Sequence, residues 1–200
     1  MKQSSSQRMS GATVLAGVFG LIAFALLLGC NATTASTDDA SAAAAPAPGA
    51  PDPEAPETAD FRLPDLEGNE VGPPDFLGKV VVAEFWATWC APCRVQAKML
   101  ETLYHVVDPE AVQFLAINVG EAAETIQPYL DETPFPYPVL LDQQDELMAE
   151  YRLIGLPTIL VIDPEGKITY SHVGLVDSGT LRLELIKAGM PAEPVQAAAG

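Results

Sequence analysis

The stretch Val80-Val81-Val82-Ala83-Glu84-Phe85-Trp86-Ala87-Thr88-Trp89-Cys90-Ala91-Pro92-Cys93-Arg94 decides how this chain is read. Its first seven residues are β-branched, aromatic or small with a single acid, the composition of a strand buried on both faces. Two cysteines follow at a spacing of Cys-x-x-Cys. Behind them Val95, Met99, Leu103 and Val106-Val107 recur at helical spacing, and Pro109 is expected to stop that helix. The pair therefore falls where a buried strand hands over to a helix. There, unpaired N–H groups and the positive end of the helix dipole favour a thiolate over a thiol. Two intervening residues let a disulfide close across one helical turn. Pro92 costs little where an N–H would have no intrahelical acceptor. Cys90, at the outer end, is the expected nucleophile, and Cys93, one turn deeper, the expected resolving thiol.

Half of a zinc site would share the local spacing, but a zinc site needs further ligands. The chain has three cysteines, two histidines and no second Cys-x-x-Cys pair, and His105 and His172 lack a paired spacing. No metal is expected, and no cofactor beyond the Cys90–Cys93 pair itself. His105 and His172 read as surface or edge residues.

Away from the pair, Phe61–Leu66 reads as a short strand ending in the turn Glu67-Gly68-Asn69. Val112–Val119 reads as a second buried strand, and Ala122–Glu132 as a helix with Pro128 at a kink or boundary. Pro138–Leu141 is expected to be a short strand and Asp145–Arg152 a short helix. Thr158–Ile162 and Lys167–Val173 are strands joined by Asp163-Pro164-Glu165-Gly166, whose residues suit a hairpin turn. Ser178–Lys187 is expected to close the domain as a helix capped by Ser178 and ended near Gly189. Strands alternating with helices, then a hairpin, predict an α/β domain over residues 61–188 with a central mixed sheet flanked by helices. Residues 189–200 read as a flexible tail.

Upstream, Lys2 and Arg8 precede an uncharged apolar run from Ala12 to Leu28, so residues 1–29 read as an export signal. Residues 30–60 carry Asp38, Asp39, Asp52, Glu54, Glu57 and Asp60, five prolines and no base, and show no apolar periodicity. They read as a disordered tether. At 48% hydrophobic and 18% charged, the chain has material for a real core. Its net charge of −17, with no local basic patch, excludes a nucleic-acid partner.

Phe85-Trp86-Ala87-Thr88-Trp89-Cys90-Ala91-Pro92-Cys93-Arg94, with Gly155-Leu156-Pro157-Thr158 and Asp163-Pro164-Glu165-Gly166, resembles the thioredoxin-fold proteins of the TlpA/ResA type. The resemblance implies a thioredoxin-like fold, with residues 119–141 as the extra helix-and-strand insertion of that group. It implies extracytoplasmic thiol–disulfide exchange on exported client proteins, with electrons from a membrane dithiol donor; some members serve cytochrome c maturation. It also implies that Pro157 follows a cis peptide bond facing the disulfide. The backbone of Leu156 would then pair with an extended substrate, Trp89 would flank the site, and Trp86 would pack in the core. Leu26-Leu27-Leu28-Gly29-Cys30 resembles the bacterial lipobox, which implies lipidation of Cys30 and an envelope lipoprotein held to a membrane.

Two positions depart from that group. The usual Cys-Arg-x-Glu-x-Pro is here Cys93-Arg94-Val95-Gln96-Ala97-Lys98, so Gln96 replaces a proton-handling glutamate and Lys98 a proline. Glu84, six residues before Cys90, is the remaining candidate for accepting the Cys93 proton. In so apolar a strand its carboxylate should be poorly solvated and its pKa raised. Ala91-Pro92 adds no cation between the cysteines, so the Cys90 thiolate should be moderately stabilised and the protein a reductant. A tethered docking module and a peroxidase of the same fold are the competing readings. Against the second, no Pro-x-x-x-[Thr/Ser]-x-x-Cys precedes Cys90.

Overall fold

The computed structural model describes residues 49–192. The signal-like segment 1–29, Cys30, the tether as far as residue 48 and the tail from residue 193 lie outside the described residues. A short antiparallel pair comes first, β1 (Leu63–Pro64) with β2 (Glu70–Val71). The expected strand Phe61–Leu66 thus shrinks to two residues. The Asp65 carboxylate accepts the N–H groups of Glu67 and Asn69, which turns the chain immediately after Pro64. A 3-10 turn, Pro73–Phe76, leads into β3 (Val80–Trp86), in which every residue is buried.

The main sheet has the order β5-β4-β3-β6-β7. β4 (Val112–Val119) and β5 (Val139–Asp142) run parallel to β3, β6 (Thr158–Ile162) runs antiparallel to it, and β7 (Ile168–Val173) pairs antiparallel with β6. The mixed sheet expected from the alternation is therefore present. Four helices join it: α1 (Ala91–Tyr104), α2 (Ala123–Glu132), α3 (Glu146–Glu150) and α4 (Ser178–Lys187). α2 and β5 fill residues 119–141, the segment read as an insertion, and β5 takes the outer place beside β4.

Alternation along β3 divides the core into two layers. Val80, Val82 and Trp86 pack with Leu100 and Leu103 of α1, Ile126 of α2, and Leu181 and Leu185 of α4. Val81, Ala83 and Phe85 face the other way, toward Phe61, Leu147 and Tyr151. Removing each such side chain from water contributes about 1.5–3 kcal/mol. Glu84 shares the parity of Val82 and Trp86 and so lies on the α1 side.

Several local expectations are corrected. α1 ends at Tyr104, ahead of Val106-Val107, and it buries Cys93, Gln96, Leu100 and Leu103, leaving Val95 and Val106 exposed. Leu103 is buried and Val107 packs against the core as the apolar stripe implies, but Gln96 rather than Val95 takes the inward position one turn into the helix. Pro128 neither ends nor bounds α2, which continues to Glu132. α3 is shorter than Asp145–Arg152 because both of those residues adopt left-handed backbone, at φ 57° and 53°. α4 is capped by Asp177 rather than Ser178: its carboxylate accepts the N–H groups of Gly179 and Thr180. Gly189, at φ 117°, follows the end of α4. Finally, residues 49–60 lie against the domain. The Ser171 N–H donates to the Gly49 carbonyl, Ile168 N–H to Glu57 and Ala59 N–H to Gly166, while Arg152 pairs with Asp52 and Glu54. These contacts cover the open edge of β7 with acidic chain.

Candidate active site

Cys90 is the N-cap of α1 and Cys93 lies in its first turn. The two form a disulfide with Cα atoms 5.3 Å apart, and the Cys93 N–H donates to Cys90 Sγ at 3.2 Å. Pro92 lies in the first helical turn, where the missing N–H is no loss. Both cysteines are nearly covered, at 4% and 2% exposure, whereas Trp89 beside them is 71% exposed. A flat aromatic in water next to a covered disulfide is a surface that a client can meet. Trp86 is buried and packs on Tyr129 and Phe135, with ring centroids at 5.3 and 4.8 Å.

The peptide bond between Leu156 and Pro157 is cis. Antiparallel pairing of Phe85 with Thr158 brings the start of β6 alongside the end of β3, so Pro157 and Leu156 lie at the end of the sheet from which Cys90 emerges. Thr158 Oγ1 donates to the Gly155 carbonyl at 2.6 Å, and Gly174 N–H to the Pro157 carbonyl at 2.7 Å. The Pro157 carbonyl is thereby occupied by the turn after β7.

Glu84 is fully buried, and neither carboxylate oxygen has a hydrogen-bond partner. It sits between Ala116 of β4 and Ile159 of β6, which offer no polar side chain. Burial pushes its pKa up to about 8. That value is close to a thiol's, which suits proton exchange between the two. Its charge also helps push the Tyr137 hydroxyl upward, though burial is the larger cause. Tyr137 Oη and Trp86 Nε1 are likewise buried without partners.

Arg94, the base closest in sequence to Cys90, turns back. It donates to the Thr88 carbonyl at 3.0 Å, and its guanidinium lies 5.7 Å from the Tyr129 ring centre. His105 is exposed, and His172 lies on the edge strand β7 with its Nε2 3.2 Å from the Leu175 carbonyl. The sequence reading missed Glu121 altogether, and noted Gln96 only as a substitution without its structural role. Gln96 is bound on both sides by the backbone of Val176, and Glu121 holds Thr88. The signal for Glu121 was positional: it follows a strand parallel to β3, and parallel neighbours end on the same side of a sheet. Gly120, at φ 73°, makes the necessary turn, since a Cβ there would come within 2.7 Å of the Asp145 carboxylate.

A Cys-x-x-Cys disulfide capping a helix, a buried acid on the same side of the sheet and a cis-proline beside the strand end define a thioredoxin-fold thiol–disulfide oxidoreductase. More particularly, the chain belongs to the AhpC/TSA family, which it matches over residues 54–171. Among curated proteins it is similar to the thiol-disulfide oxidoreductase ResA of Geobacillus thermodenitrificans, at 35% identity over 128 residues, covering 64% of this chain and 71% of that one. Among solved structures it is similar to a putative thiol:disulfide interchange protein DsbE from Chlorobium tepidum. The TM-score is 0.61 at 29% identity, with coverage of 72% of this chain and 99% of that one. It is also similar to the exposed lipoprotein thioredoxin Etrx1 from Streptococcus pneumoniae, at TM-score 0.58 and 27% identity, covering 64% and 99%.

Proposed function

We propose that the protein is a membrane-anchored, extracytoplasmic dithiol reductant of client proteins. The Cys90–Cys93 disulfide at the first turn of α1 carries the reading. In the reduced protein the Cys90 thiolate attacks a client disulfide, forming a mixed disulfide and releasing one client thiolate. Cys93 then gives its proton to the Glu84 carboxylate and attacks Cys90 Sγ, releasing the second client thiolate and restoring Cys90–Cys93. Two electrons pass to the client, and a membrane dithiol donor returns them. Trp89 and the Leu156 backbone beside Pro157 supply the surface on which an extended client strand lies. No cofactor beyond the cysteine pair enters the scheme.

The site supports this reading over the alternatives. A docking module would need neither a closed cysteine pair nor a buried unpartnered acid. In the peroxidase pattern the proline and hydroxyl positions are here Ala83 and Ala87. The resemblance to the TlpA/ResA type, some members of which serve cytochrome c maturation, favours clients destined to become c-type cytochromes, and likeness to a pneumococcal lipoprotein supports anchoring through Cys30. Among the described residues, no helix is long and apolar enough to cross a membrane.

Insulin reduction tests the activity. The unaltered protein should accelerate it, and Cys90→Ser should abolish it. Cys93→Ser, which attacks but cannot release, should accumulate mixed disulfides with clients in cells. Mature protein should begin at an acylated Cys30, and Cys30→Ser should stay unprocessed. A soluble product cut elsewhere between residues 20 and 40 would remove the anchor from the proposal.

A further inference from the structure

Cys90 is presented by a turn that closes with its own N–H donating to the Ala87 carbonyl at 3.1 Å. Thr88 and Trp89 are the central residues of that turn. Thr88 is held on every polar atom it has. Its N–H donates to Glu121 Oε2 at 2.7 Å and its hydroxyl to Glu121 Oε1 at 2.6 Å, while its carbonyl accepts from Arg94 at 3.0 Å. Glu121 in turn is oriented by Asn118, whose Nδ2 donates to Oε2 at 2.9 Å. Asn118 is buried at the end of β4, opposite Trp86, so the carboxylate is fixed from the sheet.

We infer that Glu121 is a positioning residue for the redox pair, fixing the Ala87–Cys90 turn and placing a negative charge that disfavours a thiolate on Cys90. The chemistry follows from what each partner can do. A carboxylate accepts from all three donors at once, whereas a neutral amide would turn its NH2 toward at least one of them. The charge stands at the N–H of the residue two positions before Cys90. Arg94, which would otherwise favour the thiolate, is spent on the Thr88 carbonyl. The other titratable or charged groups on the surrounding elements are Glu84 in β3, Lys98 and Glu101 in α1, Glu124, Tyr129, Asp131 and Glu132 in α2, Asp142 and Asp145 beside Gly120, and His172 and Asp177 where β7 passes into α4; Ile154–Pro157 brings none. Glu121 thus biases the pair toward a dithiol that gives up electrons readily.

The inference rests on the redox reading of the pair but is measured without turnover. In reduced protein, the pH at which Cys90 is half-maximally alkylated by iodoacetamide reports its ionisation. In oxidised protein, hydrogen exchange of the Cys90 N–H reports opening of the turn. Glu121→Gln should lower the half-alkylation pH, raising alkylation at pH 7 roughly two- to five-fold, and should speed Cys90 exchange. Thr88→Val keeps the charge and loses one bond; it should speed exchange without lowering that pH. An unchanged or raised half-alkylation pH in Glu121→Gln overturns the electrostatic role, and so does an equal lowering in Thr88→Val. Unchanged exchange in both overturns the positioning role. If Glu121→Gln does not fold, Glu121→Asp, with its carboxylate drawn back by one methylene, should shift the pH in the same direction by less, and no shift overturns the inference. Failure of the unaltered protein to reduce insulin would instead count against the redox reading.

Discussion

Gln96 and Val176 exchange two hydrogen bonds across 80 residues of chain: the Gln96 Nε2 donates to the Val176 carbonyl at 3.2 Å, and its Oε1 accepts the Val176 N–H at 2.8 Å. Both residues are buried, so the pair ties α1 to the turn before α4 as one rung of a ladder would. An amide does this at any pH, whereas an ionised carboxylate accepts but does not donate. The glutamine that departs from the TlpA/ResA pattern is therefore part of the domain's internal bracing.

Gln96→Ala should lower stability by about 2–4 kcal/mol, since it strands a buried N–H and carbonyl and leaves a void. Gln96→Glu should also destabilise, because a carboxylate would face the Val176 carbonyl. Urea unfolding at neutral pH measures both. Midpoints equal to that of the unaltered protein would show that water replaces the side chain.

Glu84 predicts a pH-dependent stability. Its folded pKa lies above its unfolded value of 4.5, at about 8. Between these values the folded state holds the proton more tightly than the unfolded state. Stability should therefore fall as pH rises through this window, by up to about 1.4 kcal/mol per pH unit from this group. Glu84→Gln should remove that slope and be the more stable protein at pH 9. Parallel denaturation curves at pH 5, 7 and 9 for the oxidised forms supply the comparison.

Catalysis should respond in the opposite sense. With no carboxylate to take the Cys93 proton, Glu84→Gln should slow release of the mixed disulfide by roughly 10- to 100-fold, the low end of general-base effects. Its first step, attack by Cys90, should be unaffected. Rapid-quench separation of the two steps between pH 6 and 9 provides the test, and equal release rates would assign the proton to another acceptor.

The redox potential follows from the charges around Cys90. Ala91-Pro92 contributes no cation, Arg94 is bound to Thr88, and Glu121 stands on the other side of that residue. The thiolate gains little beyond the helix terminus, so the potential should be thioredoxin-like, about −270 mV, rather than about −120 mV. Equilibration with glutathione measures it. A value more oxidising than about −180 mV would indicate an oxidase or isomerase.

Much of the fold was legible because its elements are locally encoded. β3, β4 and β6 span the residues read for them, since strands buried on both faces are dominated by apolar and β-branched side chains, with Glu84, Gln113 and Asn118 as isolated exceptions. The site of chemistry was equally local: a Cys-x-x-Cys pair at a strand-to-helix junction needs only adjacent residues to define it. Elements whose ends depend on side-chain capping were read less well. Asp65 cut β1 short and Asp177 displaced Ser178 as the cap, because a carboxylate competes for the same N–H groups over one or two residues.

By itself, the sequence determined the order of strands and helices, the redox pair, and a carboxylate in β3 with no polar neighbours along the chain. Tertiary structure alone decided which face of α1 turns inward, how the edge of β7 is covered, and what holds Cys90 in place. The contacts responsible join Thr88 to Glu121 across 33 residues and Gln96 to Val176 across 80. Such pairs depend on which strands lie side by side and in what register. Local periodicity reports which face of an element is apolar, but it carries no information about the element that face will meet.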